Sequence, residues 1–188
     1  MTIRKSITIL FFICLAGCVP SLHQLWTSNT LIYDPTISGT WQQEEERWQF
    51  VGDLNDKSYE LTVTEKKGKQ SKLLVHLVEV DGQRFFDFYL PDDSEIEAGG
   101  WTKFHLLAVH SFYKVQKTES RFMVAAMEPD KVGKLLKDKP DMVKHEFIEE
   151  DRVVLTDTPE NLQKFLMEGL KVEGFFGDPT DLTPIKEQ

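Results

Sequence analysis

Ser58-Tyr59-Glu60-Leu61-Thr62-Val63-Thr64-Glu65 is the stretch whose reading decides the fold. Tyr59, Leu61 and Val63 fall on one side, with Ser58, Glu60, Thr62 and Thr64 opposite, which is the two-residue period of a half-buried strand. Lys66-Lys67-Gly68-Lys69 follows as a turn whose glycine can take positive φ, and residues 72–80 return as the partner strand. The pattern continues in both directions. Upstream, residues 46–52 put Trp48 and Phe50 on one side. Downstream, Asp81-Gly82 signals another hairpin and residues 84–90 form the next strand. A long strand over 104–117 is then expected, with 121–128 as its partner across Thr118-Glu119-Ser120.

Leu73-Leu74-Val75, Phe85-Phe86 and Leu106-Leu107 are apolar on both faces, which a sheet wet on one side does not tolerate. Either the sheet closes on itself or helices cover its outer face. Pro129-Asp130 opens a segment with Val132, Leu135 and Leu136 at helical spacing, stopped before Pro140. Thr158 reads as an N-cap with Pro159 at the first helical position, followed by Leu162, Phe165, Leu166 and Leu170 on one face. Between these helices, residues 144–149 and 152–156 make a short hairpin. The expected fold is α+β: a mostly antiparallel curved sheet or small barrel with two short C-terminal helices. The tail from Lys171 contains Phe175-Phe176 but is otherwise turn-like, and reads as loosely packed.

The N-terminus has a different logic. Arg4 and Lys5 precede about ten apolar residues, 7–16, too few for a spanning helix, which needs roughly 20. Leu15-Ala16-Gly17-Cys18 then closes the run. Basic residues, apolar run, small residues and cysteine in this order resemble the signal and lipobox of bacterial lipoprotein precursors. That resemblance implies cleavage before Cys18 and a diacylglycerol and N-acyl lipid on it, with no other cofactor. It also implies membrane attachment through the lipid, and Val19 after the cysteine leans towards the outer membrane. The division that follows is a signal peptide at 1–17, a lipidated connector at 18–37, a single β-rich domain at 38–170 and a tail at 171–188. Leu22, Leu25, Trp26, Leu31, Ile32 and Tyr33 make the connector too apolar for a flexible stalk, so it should dock on the domain.

Charge and cysteine content exclude whole classes of function. The chain of 188 residues carries a net −9, and residues 1–17 hold two bases and no acid, leaving −11 from Cys18 onward. Nucleic acid is therefore an unsuitable partner, since phosphate contacts need clustered Lys and Arg. Cys14 and Cys18 are the two cysteines. Processing would remove the first and acylate the second, leaving no thiol for a disulfide, a zinc–thiolate site or a nucleophile.

Catalytic and metal motifs are not found. His145-Glu146 lacks the second histidine of a His-Glu-x-x-His site, and His105 and His110, five apart on one expected strand, would face opposite ways. His76 meets His110 only in a suitable register. His110-Ser111 are sequence neighbours on a strand and do not form a nucleophile–base pair, and no Gly-x-Ser-x-Gly elbow occurs. Asp87, between Phe86 and Phe88, is a candidate raised-pKa acid. No catalytic residue, metal ligand or enzymatic activity is assigned on these grounds.

Gly39-Thr40-Trp41, at the entry to a series of hairpins with a helix near the C-terminus, is similar to the lipocalin and wider calycin pattern. That resemblance implies a barrel whose interior holds a small apolar ligand. The chain departs from it in lacking Thr-Asp-Tyr at a mid-chain turn and in inserting a helix at 129–140. The expected function is a non-catalytic binding or structural role in the envelope, with Trp41, Trp48, Phe86, Phe88 and Phe112 as candidate liners. The alternative is docking or assembly with an envelope protein through the acidic loop at 91–100.

Overall fold

The computed structural model describes residues 18–91, 99–118, 121–148 and 152–185. The expected signal segment and most of the acidic 91–100 loop lie outside them. In chain order the strands begin with β1 (Pro20–Ser21) and β2 (Leu31–Ile32), and a 3-10 turn at Pro35–Ile37 follows. Next come β3 (Gly39–Gln43), β4 (Glu46–Asp53), β5 (Ser58–Thr64), β6 (Gln70–Val80) and β7 (Gln83–Tyr89). After the short helix α1 (Gly100–Phe104) come β8 (His110–Lys117) and β9 (Phe122–Ala126). The chain ends with α2 (Pro129–Asp138), β10 (His145–Ile148), β11 (Arg152–Leu155), α3 (Pro159–Gly169) and β12 (Thr180–Pro184).

β3 to β9 form an antiparallel meander in which each strand pairs with the next. β12 then lies between β9 and β3 and closes an eight-stranded barrel. Of the two expected forms, a curved sheet or a small barrel, the closed barrel is the one found; the α+β label is corrected to mostly β, with three short helices among the described residues. The tail expectation is corrected too. Leu182 is fully buried opposite Phe122, and Phe175 is buried against α3. A five-residue strand with one inward apolar side chain carries little pattern of its own, and becomes a strand because β9 and β3 both offer it hydrogen bonds.

The hairpins obey their turn chemistry. Asp81 and Gly82 both have positive φ, 48° and 75°, as a type I′ turn requires. One expected strand is shorter than its pattern. The ladder between β7 and β8 ends at Tyr89 opposite His110, so residues before His110 have no strand to pair with. Instead of extending back to 104, β8 starts at His110; α1 ends at Phe104, residues 105–109 form neither helix nor strand, and Leu106 and Leu107 stand 50% and 71% exposed.

Two cores share one wall. The first fills the barrel with Trp41, Trp48, Phe50, Tyr59, Leu61, Val75, Leu77, Phe86, Phe88, Val115, Phe122 and Leu182. The second covers the outer faces of β6, β7 and β8. Val78, Phe85 and Phe112 there meet Val132 and Leu136 of α2, Val153 and Leu155 of β11, and Leu162, Phe165 and Leu166 of α3. Phe85-Phe86 is therefore buried on both faces for two reasons at once, closure inside and helices outside. Each fully buried side chain of this size contributes about 1.5–3 kcal/mol.

The connector docks as its composition predicts. β1 pairs with β8 and β11, β2 pairs with β6, and Val19, Leu25 and Ile37 are buried.

Candidate functional site

The lumen is an aromatic column. Alternation along β3, β4, β7 and β9 turns every second side chain inward, so rings on neighbouring strands meet in layers. Starting from the Pro35–Ile37 turn, the Trp41 indole donates to the Ile37 carbonyl at 2.9 Å and packs edge-on to Phe122 at 4.4 Å between ring centroids. Phe122 contacts Phe86 at 6.0 Å, Phe86 contacts Phe88 at 5.7 Å, and Phe88 contacts Trp48 at 6.0 Å. Such separations are those of attractive aromatic pairs.

Four of the five expected liners, Trp41, Trp48, Phe86 and Phe88, are in this column. Phe112 is not. It pairs across the strands with Asp87 and belongs to the outer core beneath the helices, which corrects its assignment as a liner. Its neighbour Tyr113 faces inward in its place, stacked on Phe88 at 4.7 Å. Tyr113 and Phe122 also line the lumen and were not singled out by the residue pattern. Knowing that Asp87 opposes Phe112 would have identified Tyr113, but that register is a tertiary fact.

Cys18 lies three residues before Ser21, on the side of the column away from Ile37. β3 leaves the Ile37 turn and the meander alternates from there, so β7 finishes and β8 starts at the opposite end, where Ser21 pairs with His110. The buried side chain of Val19 points into the outer core, and Cys18 turns the other way. Its Sγ lies 3.0 Å from the Tyr113 hydroxyl and is exposed. Burial pushes the Tyr113 phenol up from its ordinary value, and the adjacent Cys18 adds to the shift. Tyr113 therefore stays a neutral hydroxyl at the rim, able to donate or accept.

At the Ile37 end, an open cleft of about 610 Å³ is lined by Asp34, Thr36, Trp41, Arg84, Lys117 and Thr118. Its charges are spent on one another. Asp34 bridges Arg84 at 3.3 Å and Lys117 at 3.1 Å, and Arg84 also pairs with Glu79 at 2.9 Å. Burial raises the Asp34 carboxyl, but bonds from Thr36 and the Lys117 ammonium together hold it below the usual carboxylate range. Beside it the Tyr59 hydroxyl donates to the Asp34 carbonyl at 3.0 Å, and burial pushes that phenol to about 12. This end is a closed polar network.

Asp87, His76 and His110 come together on the outer wall under the connector. Asp87 is fully buried; its Oδ2 accepts the Leu25 amide at 2.8 Å and its Oδ1 the Nδ1 of His110 at 2.7 Å. His76 lies directly across the ladder from Asp87, with Trp26 over its ring at 5.1 Å. Its Nδ1 is buried with no hydrogen-bond partner, and burial lowers its pKa. The carboxylate orients an imidazole as a general base requires, but no Ser, Thr or Cys hydroxyl or thiol among the described residues is hydrogen-bonded to either ring. Among the described residues no group of three or more His, Cys, Asp or Glu is placed to hold a metal ion. The cluster fastens the connector to the barrel.

The class these observations define is a closed eight-stranded antiparallel barrel with an aromatic lumen, its N-terminal segment strapped to the outside and its cysteine against Tyr113. Comparison with protein-family models, curated proteins and solved structures found no match. No helix among the described residues is long and apolar enough to cross a membrane.

Proposed function

We propose that this is a lipid-anchored envelope protein, attached through acyl chains on Cys18 to the outer membrane, whose barrel binds an apolar chain at the Cys18 rim without catalysing a reaction. The observation that carries the reading is the 3.0 Å contact between Cys18 Sγ and Tyr113, whose ring stacks on Phe88. Through it the anchor and the aromatic column share one end. An acyl chain leaving the bilayer would meet Tyr113, Phe88 and Trp48 first, while Phe50, Phe86 and Phe122 close the lumen deeper in. A shallow site for one chain fits that arrangement better than a deep cavity.

The test has two arms. Cys18→Ser should abolish lipid labelling and membrane retention in cells, and retention of labelled protein refutes the anchor. Titration of the membrane-extracted protein with a brominated fatty acid should quench Trp48 emission saturably, with the signal lost in Trp48→Phe. Quenching that does not saturate refutes the binding site. The tightly filled inner column favours a second reading, a rigid scaffold for docking an envelope protein, and that reading stands if the first arm succeeds and the second fails.

A further inference from the structure

We propose that the Cys18 end of the barrel is itself a bilayer-contacting face, with Trp101, Leu106, Leu107 and Leu22 seated among lipid headgroups and the upper acyl carbons. The orientation rests on the lipid-anchor reading, and the face adds to it a contact surface made by the folded chain.

Four large apolar side chains, that of Leu22 and three on the connection between β7 and β8, are exposed. Leu22 directly follows β1 and is 40% exposed; Trp101 in α1 is 84% exposed; Leu106 and Leu107, between α1 and β8, are 50% and 71% exposed. Leu22 follows Ser21, which pairs with His110 at the start of β8, and the other three belong to the connection that leads into that same residue. Single exposed leucines are unremarkable, but a tryptophan and three leucines on two segments that both run to the start of β8 supply the side chains from which an interaction surface is built. Trp with Leu is also the composition of side chains that settle at a membrane interface.

The anchor's geometry selects the occupant. Val19 is 3% exposed and Pro20–Ser21 is held in the sheet on both sides, so no leash separates Cys18 from the barrel. Chains attached to Sγ start within a hydrogen bond of Tyr113. The bilayer that receives them is drawn against this end, and the exposed Trp and Leu side chains meet it there. With a net charge of −11 from Cys18 onward, the protein gains nothing from anionic headgroups, so the added contact has to be apolar. Two lipid contacts, anchor and face, hold one orientation where an anchor alone would let the barrel tumble.

The experiment uses the full chain expressed in cells, extracted from membranes and reconstituted into phosphatidylcholine vesicles. Acylation is read from the mass of the Cys18 peptide, and Trp101 emission is isolated by difference against Trp101→Phe. The expected result is loss of iodide quenching of Trp101 in vesicles and its quenching by lipid brominated near the headgroup. Leu107→Asp should restore iodide access without changing the thermal midpoint. In acylated, vesicle-bound protein, a Trp101 open to iodide and untouched by brominated lipid overturns the face and leaves the anchor standing. Absence of lipid on Cys18 overturns the anchor instead; added vesicles then decide the face alone, bromolipid quenching supporting it and continued iodide access refuting it.

Discussion

His110 on β8 and Leu25 of the connector are bound to opposite oxygens of one buried carboxylate, Asp87, at 2.7 and 2.8 Å. Removing that carboxylate strands the Leu25 amide and the His110 Nδ1 together. Asp87→Ala should therefore cost about 3 kcal/mol, since bonds to charged groups are worth about 1.5–3 kcal/mol and orphaned buried groups cost more. Urea denaturation checks this, and an unchanged midpoint would show that Asp87 does not hold the connector.

His76 sets an acid limit on the same region. Burial disfavours its charged form; Asp87 and Asp56 oppose the shift and His110 adds to it, leaving the pKa below its ordinary value. The unfolded chain then binds a proton that the folded one resists. The stabilisation is complete above the unfolded pKa of about 6.5 and is lost as pH falls towards the lower folded value. Thermal midpoints measured from pH 7 down to pH 5 should fall, and should fall less in His76→Gln.

Leu182 tests the closure of the barrel. It is fully buried on a strand flanked by β9 and β3, so Leu182→Ala should destabilise by about 2–5 kcal/mol. A loose tail would lose nothing. Chemical denaturation separates the two outcomes.

Gly169 ends α3 directly against the Phe175 ring, and a Cβ there would collide with that ring. Gly169→Ala should cost about 1–3 kcal/mol through overpacking despite its better helix propensity. Phe175→Leu in the same background should recover part of the loss, a coupling that a double-mutant cycle reads directly.

Thr158 is the N-cap of α3 as expected, and Asp157 just before it ties the start of that helix to the segment entering β10. Its carboxylate accepts the amides of Lys144 and Thr158 and the Asn161 side chain, each at 2.8–2.9 Å, whereas the Thr158 side chain makes no capping bond. Burial raises this carboxyl, and those three donors with the Lys144 charge bring it below its usual value. Asp157→Ala should lower stability by about 1–3 kcal/mol at neutral pH through loss of bonds to a charged group. The difference from the unsubstituted protein should shrink as pH falls below the ordinary carboxylate range, where the contribution of the ionised carboxylate is lost.

Local chemistry was legible in the residue pattern. Alternation at Ser58–Thr64 and Glu46–Asp53, the hairpin at Asp81-Gly82, helical spacing in α2 and α3, and the apolar connector all express short-range constraints, and each formed as read. The apolar pair Phe85-Phe86 even required two buried faces. What only the tertiary structure decided depends on partners distant in sequence. β12 exists because β9 and β3 leave a gap that it fills, β8 begins at His110 because β7 ends at Tyr89, and Phe112 lies outside because it opposes Asp87. Cys18 meets Tyr113 because β1 pairs with β8 in one register out of several available. A strand's period determines which residues share a face, but register and closure decide which face is the interior. Those are set by the free energy of the whole barrel, which no single segment contains.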